Sequence, residues 1–220
     1  MSNDKRLASR FDRVVYSLLR RLGVADRSLL FCGSVSRIAE ASASHPVRHE
    51  FRELSREDIS AIADCNQDFE SDAFRLLDAT RFRCFTLAQE KQIAAYAWVG
   101  LGDIPASHNS NGHEWTGLPI YLDAETAYLF AAFVAPANRG QRLYQLLLSQ
   151  IASRLHVESI KRIALTTDLK NISAIKAVSR MGFVLYGETK FTAVAGWRRA
   201  NYSVATNFLP SRLGKYVGDH

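Results

Sequence analysis

Several protein classes are excluded by what this chain lacks. Its three cysteines, at positions 32, 65 and 84, form no CxxC pair and leave an odd count. That argues against a disulfide framework or a zinc knuckle and points to a reducing compartment. With 12 Gly and 5 Pro in 220 residues, neither a collagen-like nor a low-complexity disordered chain fits. No apolar run approaches the roughly 20 residues that span a bilayer. The longest apolar stretch near the N-terminus, Val14 to Leu19, is short and broken by Ser17, so no secretory signal is read there. His45 with His49, and His108 with His113, lack Cys partners and an H-E-x-x-H frame, so no metal site is expected. No G-x-S-x-G elbow is present. The expectation is a cytoplasmic globular protein.

What is present is ordinary for such a protein: 47% hydrophobic residues and 23% charged. The net charge of +6 is unevenly placed. Residues 1 to 27 hold seven basic and three acidic side chains, or +4; the remaining 193 carry 21 against 19, or +2. In that first segment Leu7, Phe11, Val14, Val15, Leu18, Leu19 and Leu22 recur at spacings of three and four, the pattern of an amphipathic helix that Gly23 would stop. Its apolar face would dock on the main domain or on a dimer mate, or residues 5 to 22 would meet an anionic membrane surface, a role that the Leu/Phe stripe and the Arg-rich face also suit. No aromatic and basic interleaving continues elsewhere, so nucleic acid is not an expected partner.

Residues 28 to 46 are small and polar and read as a linker, dividing the chain into 1–46 (helix and linker) and 47–220 (main domain). Val47 to Leu54 alternates like a strand, and Ser55 with Asp58 opens a helix, followed by a weaker one over 71–80. Arg83–Ala88 and Gln92–Leu101 form a hairpin. The stretch from Gly102 to Leu122 is too long for an idle connection and reads as a flap or insertion. Then types alternate: a buried strand over Ala127–Ala135 ended by Pro136, a helix over Gln141–His156, a strand over Ile160–Thr166 and a helix over Ile172–Met181. Two more strands follow, over Phe183–Glu188 and Thr192–Thr206. Strand, helix, strand, helix implies a parallel pair grafted onto antiparallel neighbours.

Two stretches carry chemistry. In Val134-Ala135-Pro136-Ala137-Asn138-Arg139-Gly140-Gln141-Arg142-Leu143-Tyr144 a buried strand stops at proline and turns straight into a helix. Such a turn aims backbone N–H groups and the positive helix end at one spot, an anion site to which Arg139 and Arg142 add donors suited to phosphate. The second stretch, Asn171 to Phe183, starts a helix with an Asn cap and stops it at Gly182. Together they resemble the two signatures of the GNAT acyltransferase superfamily, V-x-P-x-x-R-G-x-G-x-G/A and N-x-x-A-x-x-x-Y-x-x-x-G-F. The resemblance covers about Val47 to Thr206 in element order.

The resemblance implies an α/β (α+β) fold: a mixed, mostly antiparallel sheet with a central parallel pair splayed to bind CoA, here with the amphipathic helix added. It implies an N-acyltransferase that uses acetyl-CoA or another acyl-CoA, most simply an acetyltransferase, acting on a small-molecule amine or amino sugar by direct transfer in a ternary complex and without metal. Arg139, Gly140, Gln141, Arg142, Leu143 and Tyr144 would line the pyrophosphate. Phe133 and Val134 would pair with the pantetheine arm, and Asn171 and Ser173 would lie near that arm and the sulfur. Three positions depart from the family. Arg142 stands at the second loop glycine, where a guanidinium would replace a main-chain contact, and Tyr144 stands at the final Gly or Ala. Val178, read as a core residue, replaces the tyrosine that protonates the thiolate; Tyr144, Ser173 and Tyr128 are the substitute donors. The acid-free strand leaves Glu125 as the foremost candidate base, with Asp123 and Glu114 behind it. The alternative readings are a degenerate, non-catalytic CoA-binding or interaction module, or an acyltransferase working at the membrane surface.

Overall fold

The computed structural model describes residues 10–22, 25–41, 49–55, 57–58, 81–89, 92–109, 119–194 and 197–204. Their elements are α1 (Arg10–Arg21), β1 (Ala25–Ser34), α2 (Val35–Glu40), β2 (Glu50–Leu54), β3 (Phe82–Gln89), β4 (Gln92–Leu101) and β5 (Thr126–Val134). These are followed by α3 (Leu143–Val157), β6 (Arg162–Asp168), α4 (Ile172–Arg180), β7 (Val184–Val194) and β8 (Trp197–Val204). Eight strands form one sheet in the order β2-β3-β4-β5-β6-β1-β7-β8. Every neighbouring pair is antiparallel except β5 and β6, which run parallel through the α3 crossover. The mixed sheet with one central parallel pair is the architecture the sequence implies.

The two sheet faces are chemically different. Alternation along β4 sends Ala95, Ala97 and Val99 to one face with the buried residues of α2, α3 and Val178 of α4. Tyr96 and Trp98 face the other way, into an aromatic cluster with Phe82, Tyr128 and Phe130. Ile104, Ile120 and Leu122 cover that second cluster, and Ile104 bridges Ile120. The two ends of the 102–122 stretch are therefore packed onto the sheet; residues 110–118, with His113 and Glu114, lie outside the described residues.

The linker reading of residues 28–46 is corrected over 28–41. Ala25–Ser34 is an inner strand paired on both edges, with β6 (Ser28 opposite Asp168) and β7 (Ala25 opposite Thr192). A strand covered on both faces needs a short apolar run, Leu29 to Cys32 here, and not an alternation, so the flanking serines hid it. The last hairpin is also shifted. β7 continues to Val194, which opposes Trp197, so Thr192 belongs to β7 and not to the final strand. The helix opening at Ser55 has the expected reciprocal cap: Asp58 Oδ2 accepts from the Ser55 amide at 2.9 Å, and Ser55 Oγ accepts from the Asp58 amide at 3.1 Å. The helix expected over 71–80 lies outside the described residues.

Among the described side chains of helix α1, Tyr16 is the buried one. Its hydroxyl accepts from the Arg27 amide at 2.8 Å and lies 3.1 Å from the Arg27 carbonyl, with Lys170 Nζ 5.2 Å from its ring centroid. The expectation that the leucine stripe docks on the domain is corrected for Val15, Leu18, Leu19 and Leu22, which are exposed.

Candidate functional site: a cleft at the parted strands

The parallel pairing of β5 with β6 ends at Leu129 opposite Leu165. On its other edge β5 stays paired with β4, but with an irregularity: Phe130 opposes Trp98 and Phe133 opposes Tyr96, so Ala131 and Ala132 face Ala97 alone. This is a β-bulge, and Ala131 sits in the left-handed region at φ 45°. The bulge turns β5 away from β6 and exposes Ala131 and Ala132. Past Leu129, the edge of β5 facing β6 borders a cavity of about 980 Å³.

The loop that closes one end of this cavity is built by short-range rules. The Ala135 amide still donates to Ala94, at 2.9 Å, before Pro136 ends the ladder and a short 3-10 turn follows. Gly140 takes φ 82°, which only glycine adopts freely. Arg142, in the N-cap position of α3, also takes a left-handed conformation (φ 59°, ψ 21°), so this residue has the backbone that a glycine would supply. No side chain caps α3, and its first-turn N–H groups end at the cavity wall formed by Arg142, Leu143 and Tyr144. Arg139 Nε donates back to the Val134 carbonyl at 3.3 Å.

Helix α4 supplies the opposite wall. Asn171 Oδ1 accepts from the Ala174 amide at 3.1 Å, the cap read from the sequence. At the far end Gly182 at φ 85° lets the Phe183 amide reach the Val178 carbonyl at 3.2 Å, a Schellman closure. Ser173, Ala177 and Arg180 share the cavity-facing side of α4. Arg139, Arg142 and Arg180 thus line the cavity, while among the described residues no Asp or Glu does. The site is electropositive and suited to a polyanion.

Of the residues singled out in the sequence, the cavity brings together Phe133, Val134, Arg139, Gly140, Arg142, Leu143, Tyr144, Asn171 and Ser173. Gln141 is exposed in the loop but does not line it. Burial pushes the phenol of Tyr144 well above its usual range, so it stays a hydrogen-bond donor. Tyr128 is fully buried; its hydroxyl lies 2.6 Å from Thr166 Oγ1 and 2.7 Å from Asn109 Oδ1, and burial again raises its pKa. Val178 is wholly buried.

Glu125 is not at the site. It precedes the opposite end of β5, about 20 Å along the strand from the bulge at roughly 3.3 Å per residue, and its carboxylate pairs with Lys161. Asp123 beside it binds Arg162 at 2.7 Å. Both tie the start of β5 to the start of β6. Sequence reading missed Arg180 and Thr166. Arg180 was recoverable from the helical spacing Ser173, Ala177, Arg180; Thr166 was not, because it depends on where the strands part. Among the described residues no group of three or more His, Cys, Asp or Glu side chains converges on one point.

Comparison with known proteins agrees with this architecture. The acetyltransferase (GNAT) family matches residues 48–183. A conserved protein of unknown function from Staphylococcus epidermidis superposes with a TM-score of 0.52 at 14% identity, covering 83% of this chain and 66% of that one. A Drosophila protein gives 0.51 at 14% identity, covering 88% and 60%. The ribosomal-protein-S18-alanine N-acetyltransferase of Escherichia coli gives 0.46 at 20% identity, covering 62% and 77%. The chain spans less than two thirds of the length of the first two, whose likeness is one of fold. No curated protein sequence matches it. The cleft at the parted strands, its left-handed loop and the family match over residues 48–183 lead to one statement: this chain belongs to the GNAT acetyltransferase family.

Proposed function

We propose that this protein transfers an acetyl group from acetyl-CoA to a primary amine of a small molecule or amino sugar, by direct attack in a ternary complex in the cytoplasm. The observation that carries the reading is the bulged, parted end of β5, which opens beside an uncapped helix N-terminus and three arginines. Acetyl-CoA supplies the activated thioester. In this reading the first-turn amides of α3, with Arg139 and Arg142, hold the pyrophosphate. The edge of β5 facing the cleft around Phe133 and Val134 hydrogen-bonds the pantetheine amides as an added strand would, and an N–H there polarises the thioester carbonyl. Asn171 and Ser173 border the arm, and the hydroxyls of Ser173 and Tyr144 are the donors nearest the departing sulfur. A thiol of pKa near 8.5 can leave as thiolate, so the absence of a tyrosine at 178 does not block the reaction.

The cleft has no carboxylate among the described residues, so the amine is proposed to lose its proton to water. Thermal denaturation with acetyl-CoA tests the binding half: at 100 times its dissociation constant a ligand stabilises by about 2.7 kcal/mol, or about 5–10 °C for a chain this size. Thiol release from acetyl-CoA against a panel of amines and amino sugars tests turnover. A shift with no turnover on any amine would favour a second reading, a CoA-binding module without catalysis, which the buried Val178 also supports. No shift at all sinks both.

A further inference from the structure

Four apolar residues of helix α1 and the turn that follows it are uncovered. Leu18 and Leu22 are 61% and 66% exposed, and Val15 and Leu19 are exposed with them. At 100° per residue these four centre on a direction about 110° away from Tyr16, the side chain that fixes the helix to the domain. The stripe therefore points away from the sheet. The helix that carries it holds four arginines and one aspartate.

A second exposed apolar group stands at the same end of the sheet. Ala25, three residues after Leu22, opposes Thr192; Thr192 opposes Arg199, and Trp197, two residues back along β8, is 81% exposed at the hairpin tip. The start of β1 is also beside the end of β6, Ser28 opposing Asp168, and Asn171 of the cleft follows three residues on. The stripe, the tryptophan and the mouth of the cleft thus share one end of the molecule.

We propose that α1 and Trp197 form a docking surface for an anionic lipid bilayer. A leucine stripe on a helix whose arginine positions fall on the opposite side of the helical wheel has the pattern of an interfacial amphipathic helix, and a tryptophan suits that same depth. Charge decides among occupants. A second copy of α1 laid on the first would bring two clusters of net positive charge together, whereas an anionic leaflet attracts each arginine near its surface. Docked in this way, the protein holds its cleft at the membrane surface. The inference stands independently of acetyl transfer.

Flotation of the full chain with phosphatidylcholine vesicles, and with vesicles containing 30% phosphatidylglycerol, tests it. The expected result is binding to the anionic vesicles at least tenfold above the neutral ones, weakened by 0.5 M NaCl, and lost at least tenfold in Leu18→Glu/Leu22→Glu. Trp emission should shift to the blue on anionic vesicles, and that shift should vanish in Trp197→Phe. Circular dichroism melts of the variants should match the parent, since all three positions are exposed. Equal binding to both vesicle types, binding indifferent to Leu18→Glu/Leu22→Glu, or a dimer in light scattering that the double variant breaks would each overturn the proposal.

Discussion

Arg142 joins two roles that separate variants can pull apart. Its backbone is left-handed, which costs a residue with a Cβ about 1–2 kcal/mol. Glycine there would remove that cost while making the unfolded chain looser by about 0.4–1 kcal/mol. Arg142→Gly is therefore expected to stabilise by about 0.5–1 kcal/mol, or about 1–4 °C in Tm for a chain of this length. The same change deletes a guanidinium from the cleft wall. A charge-assisted hydrogen bond is worth about 1.5–3 kcal/mol, and exposure of this side chain to solvent reduces that to about 1 kcal/mol, so CoA should bind about 5- to 10-fold more weakly. Arg142→Ala keeps the left-handed cost and loses the charge: its Tm should stay within about 1 °C of the parent, with the same loss of affinity. Calorimetric titration with CoA and scanning fluorimetry read the two effects separately. A fall in Tm of more than about 2 °C for the glycine variant would refute the backbone argument. Parent-like CoA affinity in both variants would refute the phosphate contact.

Other expectations follow from the same geometry. Ala131→Gly should be neutral or slightly stabilising because it fits the bulge, whereas Ala131→Val, β-branched at φ 45°, should cost about 2 kcal/mol or more and weaken CoA binding, both read by denaturant melts. Restoring the family's tyrosine by Val178→Tyr should destabilise by about 1–3 kcal/mol in urea unfolding, since that position is fully buried, and should not raise kcat. Glu125→Gln should leave kcat unchanged, and log(kcat/KM) for the amine should rise with slope one from pH 7 towards the amine's own pKa; a plateau near neutrality would reveal a base in the enzyme. Burial raises the Cys32 thiol to about 11 and the Cys84 thiol further, so at pH 8 both should react with iodoacetamide only after unfolding; the thiolate is lost as a group's pKa rises above the ambient pH.

The cleft was legible in the sequence because its walls are made by local rules. Proline ending a strand, glycine permitting a left-handed turn, asparagine capping a helix and glycine closing it act within a few residues of themselves, and each appears where the pattern put it. The bulge at Ala131 was not legible, since an alanine carries no sign that two residues will face one across the sheet. Glu125 looked well placed for proton abstraction because it adjoins the central strand in sequence. What matters is which end of the strand opens, and Glu125 stands at the end where Thr126 to Leu129 pair with β6. β1 was hidden for a related reason. Its hydrogen-bond partners lie more than 100 residues away, and its short apolar run, bracketed by serines, has neither the length of a helix nor the alternation of an edge strand.

The place of β1 also constrains how the protein can be made. A ribosome delivers residues 25–34 early, yet their two neighbours in the sheet are residues 162–168 and 184–194, so the strand must wait for most of the chain to emerge. Closing a loop of that length carries an entropic cost of about 4 kcal/mol beyond the contact itself. Until then both edges of an apolar strand stand open to other nascent chains. The expectation is slow folding completed after synthesis, with β1 secured only once β6 and β7 have emerged.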